Sequence, residues 1–161
     1  MIGDRIYKLK TMVFLSIGIF VVLVAASVAY LISGTGEAKH TEARIGERTF
    51  KVEVADTLVS RAQGLSGREE LKEDEGMLFL FGVPARQGFW MKDMKFSIDI
   101  IWIRGEKIVG FSENLPPQGD TPLALLDTYG PPEAADKALE INAGLVSRYG
   151  FKVGDGIIIN N

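Results

Sequence analysis

The sequence contains no cysteine, which removes disulfides, thiol nucleophiles and thiolate metal sites together and leaves the redox compartment open. Histidine is nearly as scarce: the single one, His40, stands in a polar stretch ahead of the main body of the chain. Serine–histidine triads and histidine-ligated zinc are therefore excluded. Basic charge is short as well. With Asp4, Arg5, Lys8 and Lys10 of the N-terminal stretch set aside, 15 basic residues face 20 acidic ones. A mildly acidic chain without a Lys/Arg stripe is ill suited to neutralising phosphates, so no nucleic-acid partner is expected.

What the chain does have is one long uncharged run, from Met12 to Ile32. Its roughly 21 residues match the ~20 that a helix needs to cross hydrocarbon. Arg5, Lys8 and Lys10 lie just before it, whereas Lys39 is the first basic residue after it, which places the N-terminus inside and exports the rest. The expected organisation is a cytoplasmic N-terminus at 1–11, a transmembrane anchor at 12–32, a flexible polar tether at 33–46 and an extracytoplasmic domain at 47–161. The expected location is the cell membrane, crossed once. A cleaved signal peptide is the competing reading, because Ser27, Val28 and Ala29 are small enough for a peptidase. The run continues through Tyr30, Leu31 and Ile32, longer than the ~7–15 residues of a typical signal core, which favours the anchor.

Within the domain, Phe50, Val52 and Val54 alternate with Lys51 and Glu53, the pattern of a half-buried strand. Asp56 or Thr57 can cap a short helix from Leu58 to about Gln63 that Gly64 closes, with Leu58, Ala62 and Leu65 turned toward the core. Met77–Phe81 and Gly88–Met91 read as short strands. Ile98–Ile103 is rich in β-branched residues and reads as a central strand covered on both faces. Arg104, Gly105 and Glu106 turn it into a partner strand from Lys107 to Phe111. Residues 114–135 hold five of the six prolines and form a long loop of the kind that is usually functional or disordered. Lys137–Ile141 is a further strand, Leu145–Tyr149 a helix ended by Gly150, and Ile157–Ile159 a last strand after Gly154, Asp155 and Gly156. The fold class expected is mainly β: a small antiparallel β sandwich or partly closed barrel with two short helices, preceded by one transmembrane helix.

Three groups of residues are candidates for function. Trp90, in the string Phe89-Trp90-Met91-Lys92, can floor a ligand site with Lys92 at its rim. Met91 and Met94 are soft donors that suit Cu(I), but two thioethers alone make a weak site. Asp99 sits in an apolar strand and needs a partner to offset its desolvation. Arg61, Arg68 and Lys92 are the cations expected to supply one, close to Trp90. The two arginines also suit bidentate capture of an anion. Asn114 and Glu113 end a strand beside the proline loop, where polar residues often line a cleft.

The order Val54, Ala55, Asp56, Thr57, then Arg61, Gly64, Leu65, Arg68, Leu71, then Gly76, Met77, Leu78, Phe79 resembles the family known as domain of unknown function 192. The resemblance continues through Phe89-Trp90-Met91-Lys92, Ile98-Asp99-Ile100, Asn114, Leu139, Glu140, Ala143, Gly144, Gly150, Gly154 and Asp155. It spans about 50–159 and implies a small mainly β fold of sandwich type, with no assigned activity. Relatives often carry Asn and Thr in place of Asp93 and Met94, which weakens copper as a shared function. The family's preference for arginine at the positions of Arg61 and Arg68 implies a common structural or ligand role.

These readings lead to a membrane-anchored module that binds a small ligand or an anion, leaning away from catalysis, with no metal or cofactor expected. Its site is drawn from Arg61, Arg68, Trp90, Met91, Lys92, Asp99 and Asn114. Partners expected are the membrane, through 12–32, and an unknown small ligand or surface protein. Two alternatives stand beside it. One is a carboxylate-dependent hydrolase or lyase using Asp99 and Glu113; the other is a protein-interaction domain presenting Leu123, Leu125 and Leu126.

Overall fold

The computed structural model describes residues 38–160. The expected anchor at 12–32, and the orientation argued from it, lie outside the described residues. Among the described residues no helix is long and apolar enough to cross a membrane.

Seven strands form one sheet: β1 (His40–Ile45), β2 (Arg48–Ala55), β3 (Glu75–Ala85), β4 (Ile98–Arg104), β5 (Lys107–Leu115), β6 (Ala135–Asn142) and β7 (Ile157–Ile159). Their order across the sheet is β5-β4-β6-β3-β2-β1-β7. The stretch expected to end the tether supplies β1 instead. Ala43 and Ile45 are buried while Glu42 and Arg44 are exposed, a two-residue alternation whose inward half is too short to stand out in a polar context. The sheet is mainly antiparallel, with one exception. β2 and β3 run parallel, which requires a crossover, and α1 (Leu58–Gln63) with the turns after it provides the connection.

A sandwich would need two sheets; here a single sheet curls until its edges meet. The Ile108 amide donates to Asp155 O at 3.0 Å and the Ile157 amide to Glu106 O at 2.9 Å, joining the start of β5 to the chain entering β7. The result is the partly closed barrel. Its interior holds Phe50, Val52, Leu78, Ile101, Ile103, Leu139 and Ile141, with Leu145 and Val146 of α2 (Leu145–Tyr149) packed in. A second core covers the outer face, where Met77, Phe79, Ile98, Ile100 and Trp102 meet Leu65, Met91 and Met94. Because β4 faces a core on each side, all of Ile98–Ile103 is buried, as its β-branched run predicts.

α1 starts in a capping box. The Ser60 amide donates to Thr57 Oγ1 and the Thr57 amide to Ser60 Oγ, each at 3.0 Å, which satisfies two otherwise orphaned donors. The helix closes at Gly64, whose φ of +52° favours glycine. Its inward face differs from the sequence expectation: Leu58 is 81% exposed, and Arg61 turns in instead, donating from Nη1 to Leu80 O at 2.6 Å and Asp56 O at 3.2 Å. The expected strand at Gly88–Met91 reduces to one bridge, Phe89 to Tyr129.

Candidate functional site

Strand parity on β6 sets the chemistry of the outer face. Leu139 and Ile141 point into the barrel, so Ala138 and Glu140 point outward. Glu140 lies directly between Met77 of β3 and Ile100 of β4 and is 5% exposed. Its Oε2 has no hydrogen-bond partner among the described residues, an exception to the rule that buried polar atoms are paired. Burial among apolar neighbours pushes the carboxyl up to about 8, against a smaller opposing pull from the Arg68 guanidinium. Glu140 is therefore mainly a neutral acid at pH 7, able to donate a proton in a hydrogen bond.

A cavity of about 320 Å³ opens over this group, near the lower end of the ~300–1,000 Å³ typical of small-molecule sites. One wall is α1 with Gly64, Leu65 and Ser66; another is the segment 87–90; Phe79, Phe81 and Met94 complete the apolar lining. Phe89 ties the aromatic wall together, edge-on to Phe79 at 4.8 Å, to Trp102 at 5.2 Å and to Phe81 at 6.1 Å between ring centroids. Trp90 stands at the rim, 45% exposed. Gly88 lets the proline loop close in, because a Cβ there would lie 2.5 Å from Thr128 Cγ2.

Of the residues chosen from sequence, Arg61 and Trp90 line this cavity. Arg68 does not line it, but acts on the Glu140 carboxyl through charge and is paired with Glu53 at 2.5 Å. Met91 is buried, and its amide donates to Gln118 Oε1 at 3.0 Å, fastening the proline loop. Lys92 pairs with the adjacent Asp93 at the surface. Leu123 and Leu125 stand exposed in a 3-10 turn of the loop, and Leu126 is half-buried.

Asp99 is the main correction. It is fully buried, but its partners are backbone amides and not Arg61, Arg68 or Lys92. Oδ1 accepts from the Asn114 amide at 2.8 Å and Oδ2 from the Val146 amide at 3.0 Å. Its parity is that of Ile101 and Ile103, so it points to the barrel side, away from the outer-face cavity. Asn114 is held at φ +54° and offers its backbone, not its side chain, to Asp99. Glu113 accepts from Ser147 Oγ at 2.7 Å. Asp99, Glu113 and Asn114 thus fasten β4 and β5 to α2, and none of them lines the cavity.

Glu140 was missed as a site residue, although an acid flanked by Leu139 and Ile141 is the same signal that drew attention to Asp99. Asp136 earlier in the strand has the parity of Glu140 and makes it look like part of an ordinary polar face.

Residues 40–159 match the family model DUF192, described as Uncharacterized ACR. No curated protein matches the chain. Two crystal structures are similar. One, of a protein of unknown function from Novosphingobium aromaticivorans DSM 12444, is 28% identical with a TM-score of 0.69, over 78% of this chain and 89% of that one. The other, from Sinorhizobium meliloti 1021 and described as a proposed transcription regulator, is 30% identical with a TM-score of 0.69, over 78% of this chain and 98% of that one.

Proposed function

The chain belongs to the DUF192 family, and on that premise we propose that its β domain is a small-ligand binding module, not an enzyme, displayed outside the membrane on an anchor formed by residues 12–32. The observation that carries the binding reading is Glu140: a buried acid with an unpartnered oxygen on the wall of an aromatic cavity. Such a group costs stability in the empty protein, and a ligand that pairs with it recovers that loss.

Binding is preferred to a paired-carboxylate reaction because, among the described residues, Glu140 is the single carboxyl group lining the cavity, and such a reaction needs a second one to share the acid and base roles. The pair Asp99 and Glu113 of a hydrolase or lyase is committed to α2. The transcription role suggested for the Sinorhizobium protein is not extended to this chain, whose acidic balance opposes phosphate binding.

A thermal-shift screen of the full chain against apolar compounds, anions, sugars, nucleotides and Cu(I) tests the module. A compact apolar compound is expected to raise the wild-type melting temperature and to lose that effect in folded Trp90→Ala and Arg61→Ala variants. A shift given only by anions, or equally by the variants, would place the site elsewhere. For the topology, protease added to intact cells is expected to remove a tag fused after Asn161. Protection of the tag would reverse the orientation, and a mature N-terminus at Tyr30 would show that the anchor is cleaved.

A further inference from the structure

We propose that the ligand of this cavity is a compact apolar molecule with an uncharged oxygen head, a ketone, ester or amide carbonyl, that accepts a hydrogen bond from Glu140. The inference rests on the binding-module reading and adds the chemical class. The walls define the body of the ligand: Phe79, Phe81, Phe89 and Met94 offer apolar contact and Trp90 an exposed ring at the mouth.

The head group follows from charge. A ligand carboxylate would be desolvated beside Glu140 and would need a cation to offset that loss. Arg68 is offset by its pair with Glu53, and Arg61, though charged, spends Nη1 on the carbonyls of Leu80 and Asp56, so a carboxylate would have to give up its water for the remaining Arg61 donors alone. An ammonium head could ionise Glu140, but it would enter a site that has the Arg61 guanidinium in its wall, with a charge that its two neutral carbonyl partners do not cancel. Like charges sharing one site disfavour it. The strands on each side of Glu140 add only Met77 and Ile100, which carry no charge. A neutral acceptor has neither problem, and it meets the unpartnered carboxyl in the protonated form that burial already imposes.

The test is calorimetric titration of the full chain with three probes that share one phenyl body: benzylacetone, hydrocinnamate and phenylpropylamine. The ketone is expected to bind most tightly at about pH 6, and to weaken about tenfold at about pH 9.5, where Glu140 has lost its proton and repels the carbonyl. Glu140→Gln keeps a donor, so it should retain ketone binding without the pH dependence. Glu140→Leu should lose ketone affinity at both pH values. Tighter binding of the amine or of hydrocinnamate, or a wild-type ketone affinity that ignores pH, overturns the proposal. Equal affinity for all three probes overturns the head group and leaves the binding module standing. Binding of none overturns this proposal and, together with a failed screen, the module as well.

Discussion

Asp99→Ala is expected to lower the stability of the β domain by about 3–5 kcal/mol, read as a fall in the midpoint of urea unfolding. The side chain is fully buried and serves two backbone donors, the Asn114 amide at 2.8 Å and the Val146 amide at 3.0 Å. Truncation orphans both, at roughly 1–3 kcal/mol each. The second donor matters more than its distance suggests. α2 has only five residues, its N-cap is Gly144, and no side chain of its own caps it. A helix that short does not form without help, and Asp99 reaches across from β4 to accept from its first turn. α2 in turn delivers Leu145 and Val146 to the barrel interior, so loss of the cap loosens core contacts as well. Asp99→Asn keeps the shape but presents an NH₂ where an acceptor is needed, and should fall between alanine and wild type. Lys92→Ala, which removes an exposed pair with Asp93, should cost under ~1 kcal/mol. An Asp99→Ala protein as stable as wild type would end the view of Asp99 as a fastener.

Particular residues explain what could be read from the sequence and what could not. The helix at Leu145–Tyr149 with Gly150 behind it, and the strand at Ile157–Ile159 after a glycine-bounded turn, are punctuated by residues with a strong local preference, and both occur at those bounds. β1 is punctuated too, by Gly46 at φ +57° in a two-residue turn into β2, but only Ala43 and Ile45 mark its inward side, too little apolar pattern to separate it from the polar stretch before it. Strand periodicity has no direction, so the parallel alignment of β2 with β3 was not legible. For the site, residue type brought Trp90 and Arg61 forward, and they do share one cavity. The burial of Asp99 was also legible, but an apolar neighbourhood demands only that a carboxylate be satisfied. It does not say whether a cation or two amides will do it. Glu140 shares the sequence signal of Asp99, an acid between apolar residues, but what sets it apart, an unpartnered oxygen with Met77 and Ile100 beside it on the neighbouring strands, exists only in three dimensions.

Between about pH 5 and pH 8 the domain is expected to lose stability as pH rises, and Glu140→Gln is expected to remove most of that slope. Burial raises the folded-state value of Glu140 from 4.5 to about 8. Across this window the unfolded chain therefore gives up its proton while the native state still holds it. The unfolded state then binds fewer protons, so unfolding becomes easier as pH increases, until Glu140 ionises in both states above about pH 8 and the slope vanishes. At ~1.36 kcal/mol per unit the full span is on the order of 4–5 kcal/mol. The acid limb has the opposite sign and a different origin. Asp56, Glu73, Asp74 and Glu75 are held below the usual carboxylate range by hydrogen bonds from Lys39, Tyr149, Lys51 and Lys72 respectively. Their contribution is lost as pH falls through those lowered values, and it is common to both proteins. His40 is also present in both, so the difference between the wild-type and Glu140→Gln curves isolates Glu140. Urea midpoints measured at several pH values should converge near pH 5 and diverge toward pH 8, with the glutamine variant the more stable. Parallel curves would mean that Glu140 loses its proton in the native state at the same pH as in the unfolded chain, which would remove the proton donor on which the ligand assignment depends. Diverging curves would instead measure what the domain forgoes by keeping an acid at the base of an aromatic cavity, a loss that a stability-neutral glutamine would avoid and that binding can justify.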